Sequence, residues 1–149
     1  MRPVALRELM SIFVEVSPLV DLGGGRRFVA FDGGTFEGRE GLVGSILKGG
    51  VDWQTVRRDG TLEIDAHYTL QTDQGDSIEV VSQGIRRASE AVTARLARGD
   101  QVDPDEYYFR TLVRLRAPAP RLDWLNHLVA VSTGRRDQSL VRIDVHEVL

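Results

Sequence analysis

From Leu62 to Gln71 apolar and polar residues alternate one for one, with Leu62, Ile64, Ala66, Tyr68 and Leu70 set against Glu63, Asp65, His67, Thr69 and Gln71. A two-residue period places the two sets on opposite faces of a β-strand, one packed and one wet. The same period recurs between Glu106 and Arg116, where Tyr107, Phe109, Thr111, Val113 and Leu115 oppose Tyr108, Arg110, Leu112, Arg114 and Arg116. Pro118 and Pro120 end that run. Further strands are predicted at Leu9 to Val20, Arg26 to Phe31, Gly41 to Leu47, Ser77 to Arg86, His127 to Ser132 and Leu140 to Val148, all rich in β-branched or aromatic residues. Alternation alone leaves open whether the wet faces meet bulk water or a ligand-filled interior.

Turn chemistry separates these runs. Arg57-Arg58-Asp59-Gly60 has hairpin composition, so the segments before and after it should pair. Asp21 to Gly25, Asp32-Gly33-Gly34, Asp73 to Asp76 and Thr133 to Asp137 are expected to turn the chain. Gly23-Gly24-Gly25 leads into a strand-like run rather than a helix, which favours a turn over a phosphate loop. A helical period is confined to a short stretch in which Ser89 is a fitting N-cap, Val92 and Leu96 lie one turn apart and Gly99 stands at the C-cap. Leu122 to Asn126 reads as a helical turn. Eight to ten strands, one short helix and no strand–helix alternation argue for an all-β, antiparallel meander. Closing that sheet removes its edges, so an up-and-down β-barrel of the lipocalin type is expected over residues 1–149 as a single domain, with an open β-sandwich as the alternative. A barrel of that size leaves room for one small ligand.

Composition narrows the function classes. The 149 residues carry a formal net charge of -3, with 42% hydrophobic and 28% charged residues, as in an ordinary globular domain. The arginines are scattered as pairs, Arg26-Arg27, Arg57-Arg58, Arg86-Arg87 and Arg135-Arg136, rather than gathered into one run, which argues against a nucleic-acid partner. Lys48 is the sole lysine among 19 basic residues. A biased composition and a use of arginine for carboxylate recognition both account for that. With no cysteine there is neither disulfide nor thiolate metal site, so a cytoplasmic home is expected. No apolar stretch suits a signal peptide or a membrane span. The chain leaves a homo-oligomer open, with Leu140 to Val148 as a strand that could pair across a dimer.

Gly33-Gly34, Gly49-Gly50 with Asp52-Trp53, the Leu62 to Leu70 strand, Gly84 with Arg86, Tyr107 to Thr111 and Trp124-Leu125-Asn126 together resemble the bacterial family called domain of unknown function 3237. The resemblance runs from about Phe13 to Val148. It implies a compact lipocalin-like barrel, encoded near catabolic or biosynthetic enzymes and without a settled activity.

The run from Gly49 to Leu70 concentrates the candidate chemistry. Asp65 and His67 lie two apart on one strand and so share a face, where a carboxylate-oriented imidazole could move protons near neutral pH. Asp52 or Asp65 is the candidate base and Tyr68 the candidate acid. Arg110, among the aromatics of Tyr107 to Thr111, is either an anion clamp or a partner in a structural ion pair. Trp53, His67, Trp124 and Asn126 complete the candidate binding residues, with core packing as the competing role for both tryptophans. The spacing of Asp144 and His146, with His127 elsewhere, forms no paired metal-ligand motif, so no metal and no cofactor are expected. Two readings stand. One is a cofactor-independent acid–base enzyme (isomerase, cyclase, hydratase or lactone hydrolase) acting on a small carbonyl or carboxylate compound. The other is a non-catalytic binding protein or carrier for a small apolar or aromatic acid.

Overall fold

The computed structural model describes residues 2–137 and 140–149. They form ten strands: β1 (Leu6–Val16), β2 (Val20–Gly23), β3 (Arg26–Gly38), β4 (Val43–Ile46), β5 (Val51–Val56), β6 (Leu62–Thr72), β7 (Ser77–Arg87), β8 (Tyr108–Arg116), β9 (Val129–Asp137) and β10 (Leu140–Val148). One α-helix, α1 (Glu90–Ala97), connects β7 to β8, and a 3-10 helix at Pro120–His127 connects β8 to β9. Among the described residues no helix is long and apolar enough to cross a membrane.

The sheet closes on itself. Every pairing is antiparallel, and β1 bonds β10 on one side and β3 on the other, completing an eight-position ring in which β4 and β5 share one place between β3 and β6. β2 forms a hairpin on the end of β3. The expected barrel is therefore present and the open sandwich is excluded. Closure follows from the alternation: each strand offers one apolar face, and only a curved sheet can bury all of those faces against each other without leaving a bare edge. Ile12, Val14, Leu70, Ile78, Val80, Val113 and Val145 meet on the axis, each almost wholly buried.

Several boundaries differ from expectation, β2 taking Asp21, Leu22 and Gly23 out of the turn expected at Asp21 to Gly25 among them, and three have a clear physical cause. β1 stops at Val16, short of Val20, because Pro18 cannot donate a ladder hydrogen bond. Asp32-Gly33-Gly34 does not turn the chain: β3 runs through it, at the point where the strand passes from β5 to β4. Gly33 and Gly34 have φ of 150° and 136°, and a side chain at Gly34 would strike the Phe13 carbonyl oxygen and Ile46. The glycines thus serve a sharp coil under β1. Thr133 to Asp137 is likewise strand, because Gly134 makes room for the Phe109 ring, which would lie 2.5 Å from a Cβ there. The link from β9 to β10, at 138–139, lies outside the described residues.

The two ends of the barrel are built differently. At one end, the 3-10 helix Pro120–His127 buries Leu122 and Leu125 in the core. Arg121 ties it to Asp76 and Thr72 at the β6–β7 turn, and the Asn126 amide both donates to and accepts from the Ala117 backbone at 2.8 Å. Trp124 holds the same helix against the Arg39 guanidinium, 5.5 Å from its ring centre. The other end, formed by the start of β3 and β6 and the finish of β5, β7 and β9, carries polar groups inward.

Candidate functional site

A cavity of about 50 Å³ lies in the barrel interior, its wall mostly apolar groups such as Val14, Val29, Phe31, Ile64, Phe109 and Ile143. That is room for a few water molecules or a small ligand group. Strand alternation decides which polar residues face the barrel interior. Asp52 and Gln54 on β5 stand opposite Ala66 and Ile64 of β6, so they share the inward face, and Arg27 on β3 stands opposite Gln54. On β7, Ser82 and Arg86 follow Ile78 and Val80 in phase; on β9, Ser132 and Arg136 follow Ala130.

These groups form two connected arrays. In the first, Arg27 Nε donates to Gln54 Oε1 at 2.7 Å, and Gln54 Nε2 donates to Asp52 Oδ2 at 2.7 Å. The Asp65 backbone N–H donates to the other carboxylate oxygen at 3.2 Å. Burial raises Asp52 to about 6, a rise reduced by those two hydrogen bonds. A carboxyl titrating there is ionised at pH 7 yet basic enough to take up a proton. The second array is a row of hydroxyls: Thr111 Oγ1 lies 2.6 Å from Ser82 Oγ and 2.5 Å from Ser132 Oγ, so three strands are joined inside the barrel.

Three arginines crowd the same end. Burial and the nearby charges of Arg136 and Arg27 lower Arg86 to about 10, so it remains a cation at neutral pH. Burial and then Arg136 lower Arg27 as well, against a smaller opposing pull from Asp52 and Asp21. The Arg136 backbone N–H donates to the Tyr107 hydroxyl at 2.9 Å, but its buried Nε has no acceptor among the described residues.

Of the expected site residues, the structure brings Asp52 and Tyr68 together on the cavity wall. The Tyr68 phenol is raised above its ordinary value, by burial first and by the Asp52 charge second, and so stays protonated. The remaining candidates lie elsewhere. Asp65 and His67 do form the expected pair, Nε2 to Oδ1 at 2.8 Å, but on the outer face, with side chains 46% and 56% exposed. Asp65 also accepts from Gln83, which holds its carboxyl below the usual range. Trp53 faces outward against Phe28, because neighbours on a strand point opposite ways and Asp52 points in. Arg110 is outside too, donating to the Phe109 carbonyl at 2.9 Å and lying over Tyr108. Trp124 and Asn126 fasten the 3-10 helix at the far end.

Arg27, Gln54, Arg86 and Arg136 were not among the expected site residues. Their signal is phase: Ile78, Val80, Ser82, Gly84 and Arg86 fall on one face of β7, so the last must point where the first four do.

Fold and cavity together define a closed antiparallel β-barrel protein whose interior cavity is lined by apolar groups and a few buried polar ones. Residues 4–148 match the family described as "Protein of unknown function (DUF3237)", and the chain belongs to that family. A UPF0311 protein of Rhodopseudomonas palustris is 36% identical over 136 residues, 91% of this chain and 88% of that one. The crystal structure of a conserved protein of unknown function from that organism superposes with a TM-score of 0.95 at 34% identity, covering 100% of both chains. A β-barrel like protein from Acinetobacter baumannii gives 0.85 at 35% identity, over 100% of this chain and 98% of that one. A structure described as an enzyme from Penicillium herquei shares the fold, with a TM-score of 0.73 at 21% identity over 100% and 97% of the two chains.

Proposed function

We propose that this barrel is an acid–base catalyst acting on a small carbonyl compound held in its cavity, with Asp52 as the proton acceptor and Tyr68 as the hydrogen-bond donor to the carbonyl oxygen. One observation carries the reading: a buried carboxylate on the wall of the interior cavity, held by Gln54 and raised to about 6. Such a group needs a partner proton to move, and a core built for packing alone would gain by replacing it with an apolar side chain. An Asp52 oxygen would take a proton from the carbon beside the carbonyl while the neutral Tyr68 hydroxyl stabilises the resulting enolate, and would return it to a different atom or a different face. Gln54, itself anchored by Arg27, would keep the carboxylate aimed during the transfer. The Penicillium herquei structure is described as an enzyme, so the architecture is not confined to carriers.

The test is solvent exchange. A panel of 2-oxo acids, β-keto esters and enol lactones is incubated with the protein in deuterium oxide and followed by mass spectrometry. Deuterium uptake is expected with at least one compound, and Asp52→Asn is expected to slow it by about 100-fold or more while leaving binding within roughly tenfold. Equal uptake in wild type and variant removes the reading. A compound that binds, never exchanges and is recovered unaltered supports the carrier reading instead.

A further inference from the structure

Arg86 and Arg136 lie on neighbouring parts of one cavity wall, and the described residues give them no carboxylate of their own. Asp52 is the acid nearest the cluster, and its second oxygen is already committed through Gln54 to Arg27. That chain accounts for one cation and one anion. Two guanidiniums then remain, mutually repelling and partly desolvated, one with a buried Nε–H that meets no acceptor. Taking charge out of water and leaving it unpaired is costly, so a folded protein keeps such a pair where something outside the chain supplies the anion. Guanidinium offers paired N–H donors in a plane, which matches an oxyanion's geometry. Beyond the arginines the wall carries Asp52, Gln54, Tyr68 and the Ser82 and Thr111 hydroxyls, but most of it is apolar, and Val14, Phe31, Ile64 and Phe109 accept hydrocarbon.

We infer that Arg86 and Arg136 form an anion subsite that receives the carboxylate of a small organic acid, whose apolar body extends along the barrel axis toward Asp52 and Tyr68. This rests on the cavity being a small-molecule site, as proposed above, but not on Asp52 acting as a base. An organic carboxylate fits better than a free phosphate because it brings an apolar body for Val14, Phe31, Ile64 and Phe109 to cover, which phosphate lacks.

The probes are acetate, its neutral relative acetamide, and inorganic phosphate, the organic pair chosen to match the small cavity. Binding is followed by calorimetry and by the Arg Nε–H signals in proton–nitrogen spectra of the intact protein. Acetate is expected to bind at least about tenfold more tightly than acetamide or phosphate and to move the Arg136 Nε–H signal. Arg86→Gln and Arg136→Gln are each expected to weaken acetate by about tenfold or more, the loss typical of a hydrogen bond to a charged group. Arg86→Lys keeps the charge without the paired donors and is expected to fall between. The inference is overturned by acetamide binding as well as acetate, by phosphate binding better than either, by none of the three binding, or by an Arg136 Nε–H signal unmoved at saturating acetate. The spectra need no substitution, so a variant that fails to fold leaves the test intact. If Asp52→Asn abolishes exchange while the arginine variants bind acetate normally, this inference alone fails. If acetate binding depends on the arginines and nothing in the panel exchanges deuterium, the catalytic reading alone fails.

Discussion

At the scale of single residues, Asp52 has a consequence for stability that is independent of any ligand. Its carboxyl titrates at about 6 in the folded chain and near 4 when unfolded, so between those values the native state holds a proton that the unfolded state has released. Stability contributed below about pH 4 is therefore lost as pH rises through 6. The loss is on the order of 2 to 3 kcal/mol. Asp52→Asn abolishes this titration, and denaturant midpoints of wild type and variant are expected to diverge by that amount between pH 4 and pH 7, with the variant gaining relative to wild type. Parallel pH profiles would mean the carboxylate is better solvated than its surroundings indicate. Asp52 was legible as a candidate from its company, a glycine pair and an aromatic ahead of a predicted hairpin. The arginines were not, because Arg26-Arg27, Arg86-Arg87 and Arg135-Arg136 read as surface charge until strand phase is applied to each pair. One member of each of these three pairs has to face inward, whereas Arg57-Arg58 lies in the exposed turn between β5 and β6.

At the scale of elements, β7 and β8 show what local reading can and cannot reach. Their alternation is legible from Ser77 to Arg86 and from Tyr107 to Leu115, as are the Ser89 cap, which accepts from the Val92 N–H, and the hairpin at Arg57 to Gly60. Glycine was the ambiguous signal. At Gly34, Gly84 and Gly134 it marks places where another chain or ring comes too close for a Cβ, and nothing in the flanking residues separates that use from a turn. Gly84 lies in β7 against the backbone of Arg110 and Thr111, whose Cα would sit 2.6 Å from an added Cβ. Backbone atoms cannot step aside as a flexible side chain can. Gly84→Ala is expected to cost about 3 kcal/mol or more, read as a lower chemical-denaturation midpoint. The hydroxyl row through Ser82 and Thr111 should loosen with it, which amide exchange on β7 and β8 would detect. A loss below 1 kcal/mol would show that the two strands separate easily there.

At the scale of the whole molecule, the closed ring was foreseeable from strand count and from the absence of strand–helix alternation, whereas the difference between its ends was not. That difference depends on which residues meet after closure, and no local period encodes it. The 3-10 helix seals one end with Leu125, which has no exposed surface. Leu125→Ala is expected to cost about 2 to 5 kcal/mol through lost burial and a residual void, measurable as a lower thermal midpoint. A benign result would mean that the neighbouring side chains collapse into the gap.

A ring that meets itself spends its would-be rims on each other. β10 is taken on both flanks, by β1 and by β9, so two copies of the molecule cannot join by continuing the ladder through it.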